Sequence, residues 1–347
     1  MLYCGLDIAS PSSYVFLADS RGRKILSGEV PTDRESLSDR LRPHLRSGLT
    51  VAIEAGNQSA WIYDLLVKLG ATATVVNPHR VRAIAESRCK TDRIDARTLC
   101  DLLRLGGLPQ PVHVPSRPTR ALRGLLVARR QLIAARTRLC NTVRGMLRQE
   151  GIALPMRGLN TAIAWKRLLA QGYEAEHLPV VLTAYFDSFK SLTTSIRAID
   201  RELAERERSD SRNARLQTMP RVGRIASLTL LAAVDDIHRF PSSRKLVGYS
   251  GLAPTVRSSG ERTQYGSISR EGRSELRAVW VQIAHGVACD TRKSTAPLRR
   301  WYNQLARRRG RRTAVVALAR RLLVIAYHLL REQTVYDPDR LRRKRAA

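Results

Sequence analysis

The stretch KTDRIDARTL, residues 90–99, constrains this chain more than any other, because it sets Asp92 and Asp95 three positions apart. On a helix that spacing places both carboxylates on one face. Two earlier acids close strand-like runs, Asp7 in LYCGLDIAS and Glu54 in TVAIEAG. The fold must therefore carry two strands that end in acids and a helix that offers two more. An oxygen-only donor set suits a hard divalent cation such as Mg²⁺, which keeps a few carboxylates and otherwise takes substrate phosphates. A carboxylate within a first strand is costly to desolvate unless a cation offsets it. A plainer role is open as well. A chain with 30 acidic residues produces such sets by chance, and Asp92 and Asp95 can pair with Arg93 and Arg97.

The elements around these acids follow a definite order. Residues 2–8, 14–18 and 24–30 read as a three-stranded meander with a turn at Ser20-Arg21-Gly22-Arg23. Thr32-Asp33-Arg34-Glu35 has capping-box spacing and should open a helix to about Arg46. Residues 50–53 form a short strand ending at Glu54, a helix over about 60–69 follows, and ATATVV is the next strand. The helix with Asp92 and Asp95 should end near Gly106-Gly107. Meander, βαβ unit and acidic helix, in that order, are found in ribonuclease-H-like domains.

Residues 108–118 hold four prolines and should be a linker. Residues 117–149 then carry nine arginines and no acid. Leu125, Leu132, Leu139 and Met146 recur every seventh position, beside a second column of Leu126, Ile133, Cys140 and Leu147. Such a heptad argues for a coiled coil, although a plain amphipathic helix packed on its own domain shows the same columns. The missing acids suggest a phosphate-facing surface, with Arg129, Arg130 and Arg136 as nucleic-acid contacts. Residues 151–179 are weakly periodic, and 180–208 are helical again and can return antiparallel as a hairpin.

From Leu216 the chain reads as helix, tight turn at Pro220-Arg221-Val222-Gly223, then apolar helix. This is half of a helix-hairpin-helix, whose turn amides can hold a DNA phosphate. A purely structural turn fits equally, and Arg221 stands where glycine is usual. Residues 248–272, GYSGLAPTVRSSGERTQYGSISREG, are too polar for a core and too long for an ordinary connector, so a functional loop is expected. Within it Ser258 and Ser259 lie among Arg257, Arg262 and Arg270. A serine in so positive a setting can attack a phosphodiester and store the bond for rejoining. Ser-Gly alone more often marks only a turn. Residues 276–289 and 313–330 are apolar helices, while 307–312 and 340–345 are basic runs.

With 61 Lys+Arg against 30 Asp+Glu, the formal net charge of +31 points to polyanionic partners. No uninterrupted apolar run approaches the ~20 residues of a spanning helix, so no membrane partner is expected. The five cysteines (Cys4, Cys89, Cys100, Cys140, Cys289) are scattered and lack zinc-ligand spacing, as reduced thiols of a cytosolic protein would be. The N-terminus runs straight into a strand, so no secretory leader is expected. A non-catalytic protein that only binds RNA or DNA would share the charge, but not the acidic set and the serine-rich segment.

GLDIAS, AIEAG and KTDRIDARTL, followed by GLAP, SSG and ISREG, resemble in order and spacing the DEDD-type transposases of bacterial insertion sequences. These form the insertion-sequence-one-ten family, together with the Piv-type site-specific DNA invertases, and the resemblance spans about residues 2–336. It implies an α/β, RuvC-like, ribonuclease-H-fold domain over residues 1–110, with Asp7, Glu54, Asp92 and Asp95 as catalytic metal ligands. A linker and antiparallel coiled-coil region over 111–210 follows, then a mainly α C-terminal transposase domain over 211–347 with a basic tail. The family's nucleophilic serine precedes glycine after GLxP, which is Ser259 here, with Ser258 beside it as the alternative. The implied activity cuts and rejoins DNA strands through a covalent serine–DNA intermediate with Mg²⁺ or Mn²⁺, guided by an element-encoded bridge RNA. The implied assembly is a homo-oligomer, a dimer of dimers paired through the coiled coils, in the bacterial cytoplasm at the nucleoid. A Mg²⁺-dependent Holliday-junction-resolvase-like nuclease, or an invertase without an RNA guide, is the alternative. Arg221, and Arg270 where lysine is common, depart from the family pattern.

Overall fold

The computed structural model describes residues 1–81, 91–155, 158–259 and 262–339. Lys90, Gly260 and the basic tail over 340–345 lie outside the described residues, as do the side chains of Arg257, Ser258, Ser259 and Arg262. The chain divides into two compact units, Met1–Pro115 and Ser116–Ala347.

In the first unit β1 (Leu2–Asp7) pairs antiparallel with β2 (Ser12–Asp19), and β2 with β3 (Lys24–Pro31). On its other side β1 runs parallel to β4 (Leu49–Glu54), which is parallel to β5 (Thr72–Val76). The order β3-β2-β1-β4-β5 is the meander joined to the βαβ unit that the sequence suggests. Side chains alternate across a strand. Cys4, Leu6, Val15, Leu17, Val51 and Ile53 point to one face, where they bury Leu37 and Leu41 of α1 (Arg34–Leu41) and Ile62 and Leu66 of α2 (Ser59–Leu69). The opposite face, with Phe16, Ala18, Ala52 and Val76, receives Ala96, Leu99 and Cys100 of α3 (Asp92–Arg104).

Two details differ from expectation. The N-cap of α1 is Asp33, accepting from the Ser36 N–H at 2.8 Å, while the Thr32 hydroxyl donates to the Ala9 carbonyl. That helix also stops at Leu41, because Pro43 has no N–H to continue it, and a 3₁₀ turn over Arg42–Ser47 follows. The proline-rich stretch is partly docked: the Val112 N–H bonds the Val75 carbonyl at 2.7 Å, and Val114 packs on the core.

The second unit is mostly helical. The heptad segment is one helix, α4 (Arg117–Gln149), and α6 (Leu178–Arg208) returns against it. Arg129 meets Asp200 near one end, and Cys140, Val143 and Leu147 bury Leu182, Phe186 and Phe189 near the other, so the pair is antiparallel. Between them α5 (Ala162–Leu169) seats Trp165, stacked on Phe186 at 5.8 Å, in the weakly periodic region. The last core gathers α7 (Ser211–Gln217), α8 (Arg224–Val234), α9 (Ser243–Tyr249), α10 (Ser274–Ala288), α11 (Ala296–Arg309) and α12 (Arg311–Arg331) around buried Trp280. By length and mean hydropathy alone α12 qualifies to cross a membrane; here Leu318, Leu322, Leu323 and Ala326 are buried in that core.

Candidate active site

Asp7 ends β1 and Glu54 ends β4, two neighbouring parallel strands with Leu6 opposite Ile53. Alternation puts both acids on the face that α3 covers. Ligands commonly bind beyond the carboxyl ends of parallel strands. Asp92 and Asp95 occupy the first turn of α3, where Thr91 caps the helix and the helix dipole favours negative charge. Asp92 is exposed; Asp7, Glu54 and Asp95 are half-buried. Arg97, offered above as a plain partner, reaches Asp101 at 3.7 Å and lies over the Phe16 ring.

One contact sets this arrangement. A Cβ on Gly5 would strike the Ala96 carbonyl oxygen and come within 2.7 Å of the Cys100 nitrogen, so only glycine lets α3 lie this close to β1. Burial pushes the Asp7 carboxyl up to about 6, and the charges of Asp92, Glu54 and Asp95 add to the shift, partly offset by the Ile8 N–H. Asp92, Glu54 and Asp95 are thus all near enough to act on Asp7. Even so, no three His, Cys, Asp or Glu side chains among the described residues form a ready metal cage. The donor set has the chemistry for Mg²⁺ or Mn²⁺, all of it hard oxygen, and an ion would relieve the repulsion at Asp7.

Ser259 belongs to the other unit. The segment expected to be a loop is an antiparallel hairpin, β6 (Pro254–Ser259) with β7 (Arg262–Ile268), pairing Ser258 with Thr263 and Ser259 with Arg262. Its strand formers Thr255, Val256, Thr263 and Ile268 are interleaved with Ser, Gly and Arg, and composition hides them. The hairpin's root is closed by Ser269 N–H on Ala253 O and Arg273 N–H on Tyr249 O. Gly272, at φ +113, lies so near the Tyr249 carbonyl that no side chain fits.

Among the arginines singled out, Arg129 pairs with Asp200 at 2.6 Å, Arg130 with Glu275 at 3.8 Å, and Arg136 lies over Phe189. Arg270 is exposed and takes φ +57. Arg221 adopts φ +65, the left-handed conformation for which glycine is usual, and its Nε donates to buried Asp290 at 2.9 Å. Arg292 also holds Asp290, and hydrogen bonds from Arg292 and Arg221 keep that carboxyl well below the usual range. A lowered carboxyl stabilises the fold above its unfolded value and loses that contribution as the pH falls. Asp290→Ala should therefore lower Tm by several degrees at pH 7, with the difference shrinking below about pH 4 in thermal melts.

A transposase family model of the DEDD, IS110 kind matches residues 4–152, and a second, described as transposase IS116/IS110/IS902 family, matches residues 213–302. The chain thus carries both kinds of domain, each matched by a transposase model of the IS110 group. It is similar to a probable family 20 transposase of Pseudomonas aeruginosa, 29% identical over 83% of this chain and 86% of that protein. The transposase for insertion sequence element IS1111A of Coxiella burnetii is 27% identical over 84% of this chain and 80% of its own. An uncharacterized 44.8 kDa protein of insertion element IS116 from Streptomyces clavuligerus is 25% identical across 97% of the chain and 96% of its own length. Both candidate centres lie within matched stretches, the four acids in the first and Ser259 in the second. Transposases act on DNA, which agrees with the +31 net charge.

Proposed function

We propose that this transposase cuts and rejoins the DNA ends of its insertion sequence, with the four acids holding Mg²⁺ or Mn²⁺ and Ser259 as nucleophile. The observation that carries the reading is the strand-end pair Asp7 and Glu54, placed on the face of the first turn of α3 with Asp92 and Asp95, in a unit whose strand order suits a ribonuclease-H-like fold. A bound divalent ion would supply charge stabilisation to the attacking and leaving oxygens of a phosphodiester. Asp7, Glu54 and Asp95, half-buried, would fix its place, and exposed Asp92 would close the set from the solvent side. The serine hydroxyl would form the covalent link. Arg129, Arg130, Arg136, Arg221, Arg257, Arg262 and Arg270 would contact phosphates. A bridge RNA as guide follows from the family resemblance alone, and the bacterial nucleoid is the expected place of action. The half-buried column Leu125, Leu132, Leu139 and Met146 suits pairing of two copies along α4, as a dimer of dimers requires.

The test is Mg²⁺ binding and Mg²⁺-dependent cleavage of element-end DNA across pH. Asp7 must ionise to bind a cation, and its raised value puts proton competition below about pH 6. Apparent Mg²⁺ affinity should fall about tenfold per pH unit there and level off above it. Without the cation the sign reverses: a carboxyl raised by folding favours the fold at low pH and loses that contribution as pH rises through 6. Metal-free protein should thus melt higher at pH 5 than at pH 7 so far as Asp7 decides, and Mg²⁺ should invert the order. Flat Mg²⁺ affinity from pH 5 to 8, or DNA binding with no Mg²⁺-dependent cleavage, would leave only a DNA-binding protein.

A further inference from the structure

Four residues far apart in sequence, Arg123, Arg239, Tyr249 and Arg273, meet at the root of the serine hairpin. Arg123 Nε donates to the Ala232 carbonyl at 2.6 Å and Arg239 Nε to the Val234 carbonyl at 2.8 Å, so both guanidinium groups sit on the last turn of α8. Arg239 also lies 4.7 Å from the Tyr249 ring centroid. Arg273 Nε donates to the Tyr249 hydroxyl at 3.3 Å, and its backbone N–H to the Tyr249 carbonyl. Two of the four, Arg123 and Arg273, line a groove of about 480 Å³ together with Arg129, Arg130, Leu126 and Val279, while Arg239 and Tyr249 stand behind them.

Positive charge exceeds negative charge here. Among the described residues, Arg123, Arg239 and Arg273 donate to carbonyl oxygens and a phenol and lie over aromatic rings, all of them uncharged groups. A helix C-terminus supplies roughly half a unit. Asp235 is the carboxylate that acts on Arg123, and it also accepts from the Ser116 and Thr119 hydroxyls; Glu275 on the groove wall is nearest Arg130. Burial and the neighbouring Arg273 weaken Arg123's hold on its proton. Burial pushes the Tyr249 phenol up, yet Arg273, Arg239 and Arg123 bring it below its ordinary value. Capping a helix needs no third cation, and a bound anion would relieve the excess.

We propose that Arg123, Arg239, Arg273 and Tyr249 bind a phosphodiester, gripping a nucleic-acid strand beside the hairpin that carries Ser259. Guanidinium forks match the non-bridging oxygens of a phosphate, and the phenol donates one more hydrogen bond. A strand phosphate is favoured over an acidic peptide because the cluster forms the base of the serine hairpin in a protein whose family acts on DNA. The four are positioning residues. The inference rests on the strand-transfer reading and adds to it the place where the strand is held.

The test titrates full-length wild type, Arg273→Gln and Tyr249→Phe with labelled duplex DNA, single-stranded DNA and RNA of one sequence, across a salt series. Arg273→Gln should weaken binding about tenfold and reduce the slope of log affinity against log salt by about one. Tyr249→Phe keeps the ring and should weaken binding a few-fold with the slope unchanged, since the hydroxyl carries no charge. Whichever polymer loses most identifies the strand as DNA or RNA. Unchanged affinity and slope in both variants, with wild-type melting, overturns the site, as does loss confined to a polyglutamate competitor. Normal variant effects beside a wild type that never cleaves DNA would sink the strand-transfer reading and leave the site standing.

Discussion

Ser259→Ala is expected to leave no covalent protein–DNA adduct on a denaturing gel, where wild type with Mg²⁺ and element-end DNA shows one. In the proposed step the serine Oγ–phosphorus bond forms as the phosphorus–sugar oxygen bond breaks. The hydroxyl proton leaves, and the released sugar oxygen takes one up. One phosphoester replaces another, so the reverse attack by a sugar hydroxyl rejoins the strand without further energy. Alanine has no oxygen to give, and a loss of at least about 10³-fold is expected. Ser258→Ala in the next lane decides between adjacent hydroxyls, since a single nucleophile should be lost with only one of the two. Asp7→Asn keeps the shape and removes a charged donor; several kcal/mol of charge stabilisation is about 10² to 10³ in rate. The two variants must fail alike if acids and serine act in one reaction. Free cleaved ends from both wild type and Ser259→Ala, with no adduct, would instead mark a nuclease in which water attacks and the acids suffice.

The acids were legible in sequence because their placement is a local matter. Strand alternation fixes the face of Asp7 and Glu54, and helical spacing that of Asp92 and Asp95. The serine hairpin has the composition of a loop, because pairing rather than composition makes it a sheet. Residues 151–179 are only weakly periodic because their described part is organised by tertiary packing, with Leu159, Trp165 and Leu168 buried against Phe186 and Phe189. The heptad columns mark a real helix but not how it is covered: Cys140 and Leu147 are buried within the chain, while Leu125, Leu126, Leu132 and Ile133 are only half-buried. Arg123, Arg239, Tyr249 and Arg273 share no motif, and only folding brings them together.

Gly5→Ala should damage fold and site together. The glycine in LYCGLD looks in sequence like a weak point in a strand; in the fold it is where α3 rests on β1. An added Cβ meets backbone, the Ala96 carbonyl and the Cys100 nitrogen, so no side chain can turn aside and the helix itself must move. Overpacking of this kind costs about 1–3 kcal/mol, enough to lower the first melting transition by several degrees. The larger effect is on chemistry. Asp92 and Asp95 ride on the same helix, whereas Asp7 and Glu54 are fixed in the sheet. Moving α3 outward separates the two pairs, and a shift of about 1 Å can cost about 10² in rate. Strand cleavage should therefore fall about 10²-fold at temperatures where the variant is still fully folded, with Mg²⁺ affinity weakened in parallel. Ala96→Gly should not rescue it, because the obstructing atom is a carbonyl oxygen that glycine retains. A Gly5→Ala protein with wild-type melting, Mg²⁺ affinity and cleavage would show that the β1–α3 contact does not hold the acids in place.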